Sequence, residues 1–365
     1  MRETHFHGAD RPASLFSREG LTTYLNTKTV EKPDPLTGTE YGALSEGARR
    51  IYDRQRIIYL SGGIRVITPH VKQAVKQVNE AFSKNAGDNS GNHGVMLDGR
   101  ATMGKTATLK MLMNQVYGQY RRQFPGFEPE DGVPVVFIEV PAGSTGKSLM
   151  RTFANFFGQP VGSTENMISI RTRVGDLMQA SGTQLVVVDD LHTLAARSNA
   201  NGESVDALKN LHDQLAATFV YAGVNLAEGN LLSGDRGEQL KARFSFVNMA
   251  RFGYSTATDR ARWKSIVTGF EMALPLRHHE QGTLAALSDY CYERTGGSIG
   301  SLSQLIAGSA AEVINNPKIK HEAIDLELLD SQLLDKEAED ARARSLKQAK
   351  AKITPDAFIP TVTTA

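Results

Sequence analysis

One glycine loop constrains this chain more than any other feature. Gly99-Arg100-Ala101-Thr102-Met103-Gly104-Lys105-Thr106 lies between the apolar run GVMLDG (94–99) and the helical pattern TATLKMLMNQVYGQY. Its glycines let the backbone curl so that successive N–H groups face inward. A helix opening at the end of the loop turns its unpaired N–H groups and its positive dipole end toward the same point. Such a loop needs a strand before it and a helix after it. The residues beyond it supply more of both. VPVVFIEVP (133–141), QLVVVDD (184–190) and TFVYAGVN (218–225) are further apolar runs. Helical patterns around SLMRTFANFFG, MISIRTRVGDLMQA and VDALKNLHDQL separate them. Runs this continuous suit strands buried on both faces, so the alternation predicts an α/β fold with a parallel sheet sandwiched by helices.

The flanks read differently. Residues 1–45 carry Pro12, Pro33, Pro35 and many Ser, Thr and Gly, and predict an extended arm. Helical patterns occupy about 44–84, where Val71, Val75, Val78 and Phe82 recur at helical spacing. After about Thr256 strand signals stop. DRARWKSIVTGFEMAL, GTLAALSDYCYERTGG, SLSQLIAGSAAEVINN and EAIDLELLDSQLL predict a small all-helical domain. From Lys336 the chain is charged and reads as an exposed helix or a tail. The expected division is therefore an arm at 1–45, an α/β domain with N-terminal helices at 46–255, a helical domain at 256–335 and a tail at 336–365. A chain of 365 residues has room for a main domain and a smaller one. Cys291 stands alone, so no disulfide forms within the chain, and a cytoplasmic protein is expected. No apolar stretch predicts a signal peptide or a membrane span.

The loop fits G-x-x-x-x-G-K-[ST] in full, and the chemistry needs each part. Gly99, Arg100, Ala101, Thr102, Met103, Gly104, Lys105, Thr106 and Ala107 are the expected contacts of a nucleoside triphosphate, ATP with Mg²⁺. Lys105 reaches the β- and γ-phosphates, and the Thr106 hydroxyl ligates the metal. Gly146-Lys147-Ser148 also comes after an apolar run, but Pro141 holds the place of its first loop glycine. Proline offers no N–H and no glycine-only torsions there, so this second loop is set aside. The metal's second ligand is expected at the end of Leu185-Val-Val-Val-Asp189-Asp190. Asp189 would hold Mg²⁺, and Asp190 would polarise the attacking water. Asp190 is one carbon shorter than a glutamate, so slow or partner-dependent turnover is expected.

The order of these elements resembles an AAA+ ATPase. In that class a polar residue after the fourth strand contacts the γ-phosphate or the lytic water, and Asn225 matches it. Within AAA+, the chain resembles the TniB/TnsC-type transposition ATPases over about residues 45–315. RRIYDRQRIIYLSGG, FIEVPAGSTGKSL, DDLHTL, QLKARFSFVNMARF and TGGSIGSLSQLI carry the resemblance. It implies that Arg243 is an arginine finger completing a neighbour's site. The lid arginine of many AAA+ proteins has no counterpart, because Gly300 holds its place. Arg294 and His192 lie near these motifs without a role that the sequence fixes.

The resemblance further implies double-stranded DNA binding by a ring or helical filament of this chain. Its partners would be a DDE transposase and a TniQ-type targeting protein. The chain has 41 Lys and Arg against 40 Asp and Glu. Net charge therefore gives no reason for DNA binding, and a few weak contacts per protomer would have to be multiplied by assembly. The candidates are Ser144, Thr145, Lys147, Arg151, Thr164, Arg171 and Arg173. Two other functions fit the same core. One is a helicase loader of the IstB/DnaC kind; the other is a signalling NTPase that switches by oligomerising.

Overall fold

A computed structural model describes residues 13–353, apart from 28–29, 63, 88–91, 129–131, 197, 230–233 and 320. Residues 1–12 of the arm expected at 1–45 and residues 354–365 of the tail expected at 336–365 lie outside the described residues. Along the chain come α1 (Arg18–Asn26), α2 (Gly38–Ala43), α3 (Glu46–Ser61) and α4 (Pro69–Asn85). Next are β1 (Gly94–Asp98), α5 (Lys105–Gln123), β2 (Val135–Glu139), α6 (Gly146–Phe156), α7 (Met167–Ala180) and β3 (Leu185–Asp189). A 3₁₀ turn at Leu191–Ala196 leads to α8 (Ser198–Gln214), β4 (Thr218–Gly223), α9 (Gly234–Lys241) and β5 (Phe244–Asn248). The remainder is helical: α10 (Ala257–Met272), α11 (Thr283–Ala286), α12 (Ser288–Thr295), α13 (Ile299–Asn315), α14 (Leu326–Ser331) and α15 (Lys336–Ile353).

The chain divides into two units. The first takes the described residues up to Thr27 together with Ile67–Ala250; the second takes Val30–Val66 and the chain from Arg251. These limits differ from the expected 46–255 and 256–335, because residues 30–66 join the second unit.

In the first unit five strands form one sheet in the order β2-β3-β4-β1-β5, and every pairing is parallel. Val95, Val136, Val187 and Val220 are fully buried, as strands covered on both faces require. Parallel strands bring all their carboxyl ends to one edge, and the glycine loop sits there. Four of the strands were expected. The fifth, Phe-Ser-Phe-Val-Asn, alternates and is only partly buried at the sheet margin, so it gives no continuous apolar run. Part of the expected arm is also ordered. The Ser17 hydroxyl caps α1 by accepting from the Gly20 N–H, and Leu21 is buried. Asn114 donates to the Tyr24 hydroxyl, and Tyr117 donates to Asn26, which docks α1 on α5.

His212, at the end of α8, is fully buried against the rings of Phe219 and Phe244. Neither of its ring nitrogens has a hydrogen-bond partner. Burial drives its pKa down to about 4, against a weaker pull from Asp213. A histidine depressed in the folded state contributes stability above its unfolded pKa, near 6.5. That contribution fades as pH falls toward 4. The loss is expected to reach ~3 kcal/mol by pH 4. His212→Leu should flatten the pH dependence of denaturant unfolding across that window, and an unchanged slope would assign the loss to other groups.

The second unit explains why residues 30–66 leave the sheet domain. Arg56 on α3 is fully buried and donates to Glu322 at 2.6 Å, to Asp53 at 2.6 Å and to the Pro275 carbonyl at 3.2 Å. Arg277 pairs with the other oxygen of Glu322 and lies over the Tyr41 ring. A buried arginine left without its carboxylates would be severely destabilised, so α3 is held to this unit. Leu60 and Ile64 share its core with Trp263, Leu302 and Ile306. The start of the expected tail belongs here too. Ala338 on α15 is buried, while Glu337 pairs with Arg251 and Glu339 with Arg294. No helix among the described residues is long and apolar enough to cross a membrane.

Candidate active site

The glycine loop runs from the end of β1 into α5. Gly99 donates its N–H to the Gly223 carbonyl, tying the start of the loop to β4. A Cβ at Gly99 would meet the Met249 carbonyl at 2.6 Å, so only glycine fits. Thr102 (φ 63°) and Gly104 (φ 82°) are both left-handed, which bends the loop back on itself. Gly104 is also the N-cap of α5 and provides no side-chain cap. The first N–H groups of α5 are therefore left for an anion rather than for a capping side chain.

Lys105 is nearly buried, and its amine donates to the Gly99 carbonyl at 2.6 Å and to the Arg100 carbonyl at 2.8 Å. Burial holds its pKa below the usual lysine range, against the opposing pull of Asp189, Asp190 and Asp98. The Thr106 hydroxyl donates to Asp189 Oδ2 at 3.1 Å. Asp189 is likewise nearly buried, and burial pushes its carboxyl up, with the charge of Asp190 adding to the effect. The Asp190 N–H donates to Asp189 Oδ1 at 2.9 Å and fixes its rotamer. Two residues from distant parts of the sequence thus present a hydroxyl and a carboxylate at one point beside the loop. These donors suit Mg²⁺, which takes few protein oxygens and keeps water and phosphate oxygens for the rest. Among the described residues no group of three or more His, Cys, Asp or Glu could hold a metal by itself.

Asp190 (φ 54°) and Asn225 (φ 53°) are left-handed residues at the carboxyl ends of β3 and β4. Asp98 accepts from the Ala227 N–H, which fastens the Asn225 turn to the end of β1. His192 Nδ1 lies 3.9 Å from Asp190 Oδ1. Glu139, at the end of β2, pairs in register with Asp189. Burial and the nearby Asp190 and Asp189 charges push the Glu139 carboxyl up. Glu139 was not among the residues expected from the sequence; its signal is that it is the one charged residue in the run VPVVFIEVP.

Arg243 sits elsewhere. It precedes β5, and its carbonyl accepts from the Gly94 N–H at the start of β1. Five residues of strand, or about 16 Å, separate that end of the sheet from the glycine loop. Its guanidinium pairs with Asp213. Arg294 is almost wholly buried and donates to the Gln332 carbonyl and to Glu339.

The candidate DNA contacts divide. Ser144 is buried and donates to the Pro141 carbonyl at 2.6 Å, so its hydroxyl is not presented outward. Arg173 is engaged by Glu165 and the Pro160 carbonyl. Thr145 caps α6 reciprocally with Ser148. Lys147 reaches the Ser163 carbonyl at 3.0 Å, Arg151 and Thr164 are exposed, and Arg171 is half-buried on α7.

The sheet order, the loop after β1, the acidic end of β3 and the helical unit after the sheet define an AAA+ P-loop fold. More narrowly, the chain belongs to the bacterial TniB protein family, whose model matches residues 56–254. Among solved structures it is similar to the Aeropyrum pernix ORC1 protein in complex with DNA. That match has a TM-score of 0.54 and 13% identity, over 82% of this chain and 71% of that one. It is also similar to the Aeropyrum pernix ORC2 protein in ADPNP–ADP complexes, with a TM-score of 0.53 and 16% identity, over 80% and 72%. At these identities the likeness is one of fold. No curated protein sequence matches the chain.

Proposed function

We propose that this chain is an ATPase that assembles on double-stranded target DNA in its ATP-bound state and recruits or activates a DDE transposase, together with a TniQ-type targeting protein. The observation that carries the reading is the separation of Arg243 from the glycine loop of its own chain. An arginine at the far end of the sheet cannot stabilise its own chain's phosphates, but it can complete a neighbour's site. Assembly then depends on ATP, because the shared site forms only between protomers.

In each site the loop N–H groups and Lys105 hold the phosphates, and Thr106 and Asp189 hold Mg²⁺. The metal, when bound, offsets phosphate charge as the terminal bond breaks. Asp190 orients the attacking water, Asn225 fixes the γ-phosphate end, and the neighbour's Arg243 stabilises the developing charge. Membership of the TniB family supports the transposition role. For DNA contact we retain Lys147, Arg151, Thr164 and Arg171; the Thr145 N–H and hydroxyl are both engaged by Ser148 in the cap of α6. These contacts address phosphates, so binding should be neutral to sequence.

The test is electron microscopy with duplex DNA and a non-hydrolysable ATP analogue. Rings or filaments around the duplex are expected, and isolated monomers would sink the reading. Lys147→Ala with Arg151→Ala should weaken binding evenly across unrelated duplexes. It should also lower the salt slope by about 2, one per lost phosphate contact. A sequence-dependent loss would contradict phosphate contact.

A further inference from the structure

Asp190 is a left-handed, non-glycine residue (φ 54°) at the proposed reaction centre, a conformation uncommon for any side chain though less so for Asp. Such a residue persists only where its surroundings over-determine it. Its N–H is bound to Asp189 Oδ1 at 2.9 Å. Its carbonyl accepts twice from one residue, Thr193, from the N–H at 2.9 Å and from the hydroxyl at 2.8 Å. The same hydroxyl lies 2.8 Å from the Val140 carbonyl, one residue past β2. One hydroxyl proton faces two carbonyls at equal distance. The Asp190 carbonyl already has the Thr193 N–H, so the distinctive link made by the hydroxyl is to Val140.

The segment beyond Val140 gives this link its meaning. Pro141 to Ser144 form a tight turn, with the Ser144 N–H donating to the Pro141 carbonyl and Gly143 left-handed at φ 71°. The Gly143 N–H donates to the Thr193 carbonyl at 3.3 Å. Thr193 therefore bonds Val140 just before the turn, Gly143 within it, and Asp190. The turn leads directly into α6, which carries Lys147 and Arg151. The Thr193 hydroxyl can therefore bond either the Val140 carbonyl before the turn or the Asp190 carbonyl at the site.

We propose that Thr193 is a positioning residue that holds Asp190 for water attack and couples it to the turn at 141–144. This rests on the ATPase reading above and adds how the DNA-facing segment regulates that site. The coupling is reciprocal: nucleotide at Asp190 must alter the turn as much as the turn alters Asp190.

The test compares Thr193→Val, which keeps the shape and loses the hydroxyl, with Thr193→Ser, which keeps the hydroxyl. Two quantities are measured in the full chain. The first is ATP turnover against nucleotide concentration. The second is hydrogen exchange over residues 141–146 with and without a non-hydrolysable ATP analogue. For Thr193→Val, kcat should fall about tenfold with KM unchanged, the loss of one positioning hydrogen bond. The analogue should slow exchange at 141–146 in the parent chain and in Thr193→Ser but not in Thr193→Val. The proposal is overturned if Thr193→Val matches the parent in both measurements, if Thr193→Ser fails as Thr193→Val does, or if the analogue leaves 141–146 unchanged in the parent. Should the turn respond to analogue while duplex DNA leaves turnover unaltered, the coupling stands and the DNA reading falls.

Discussion

Lys105→Ala is expected to abolish ATP-dependent DNA binding. The Lys105 amine is nearly buried and held within the loop by the Gly99 and Arg100 carbonyls. Burial makes its charge costly until phosphate oxygens are there to receive it. Alanine removes charge-assisted contacts worth about 1.5–3 kcal/mol each. Two such contacts correspond to about a hundredfold or more in nucleotide affinity. The folded chain should keep its stability, since a desolvated amine is lost and not an apolar packing group. Fluorescent-nucleotide titration and a duplex mobility shift with and without ATP measure the two effects. ATP-dependent binding that survives in this variant would remove the glycine loop from the mechanism.

Arg243→Ala is expected to spare nucleotide binding and lower turnover by about 10³-fold, the scale of a lost arginine finger. Asp213, its partner, is more than a third exposed, so its desertion should cost little stability. The decisive measurement mixes Arg243→Ala with Asp190→Ala chains, each inactive alone. In a mixed oligomer some interfaces join an intact Asp190 to an intact Arg243, and phosphate release should return at those sites. If mixing restores nothing, Arg243 does not act across an interface.

Residues close in sequence carried most of what could be read before the structure. Gly99–Thr106 and the strand ending at Asp189 were legible because each is a short string whose order is its chemistry. The sheet was legible wherever both faces of a strand are covered. β5 escaped because a marginal strand alternates, and Phe244-Ser-Phe-Val-Asn248 looks like neither a buried strand nor a helix. Partnership across long distances was not legible. Nothing in the string RRIYDRQRIIYL says that Arg56 meets Glu322, so α3 was grouped with its neighbours in sequence. Ser144 shows the same limit within a site. A hydroxyl near lysines reads as a DNA contact until its bond to the Pro141 carbonyl is seen. The role of Thr193 was not legible either: it falls inside the string DDLHTL, but its part lies in two carbonyls, Val140 and Asp190, just past the ends of different strands.

The division of the chain bears on how it is made. Arg56 and Glu322 are 266 residues apart, yet each is buried on account of the other. On a ribosome adding about 5–20 residues per second, helix α3 emerges on the order of 10–50 s before its carboxylate partner. During that interval Leu60 and Ile64 have no core, while the sheet unit between them can already close. The nascent chain must therefore keep an early helix waiting as a whole unit is synthesised behind it. No contiguous excised fragment contains either unit alone.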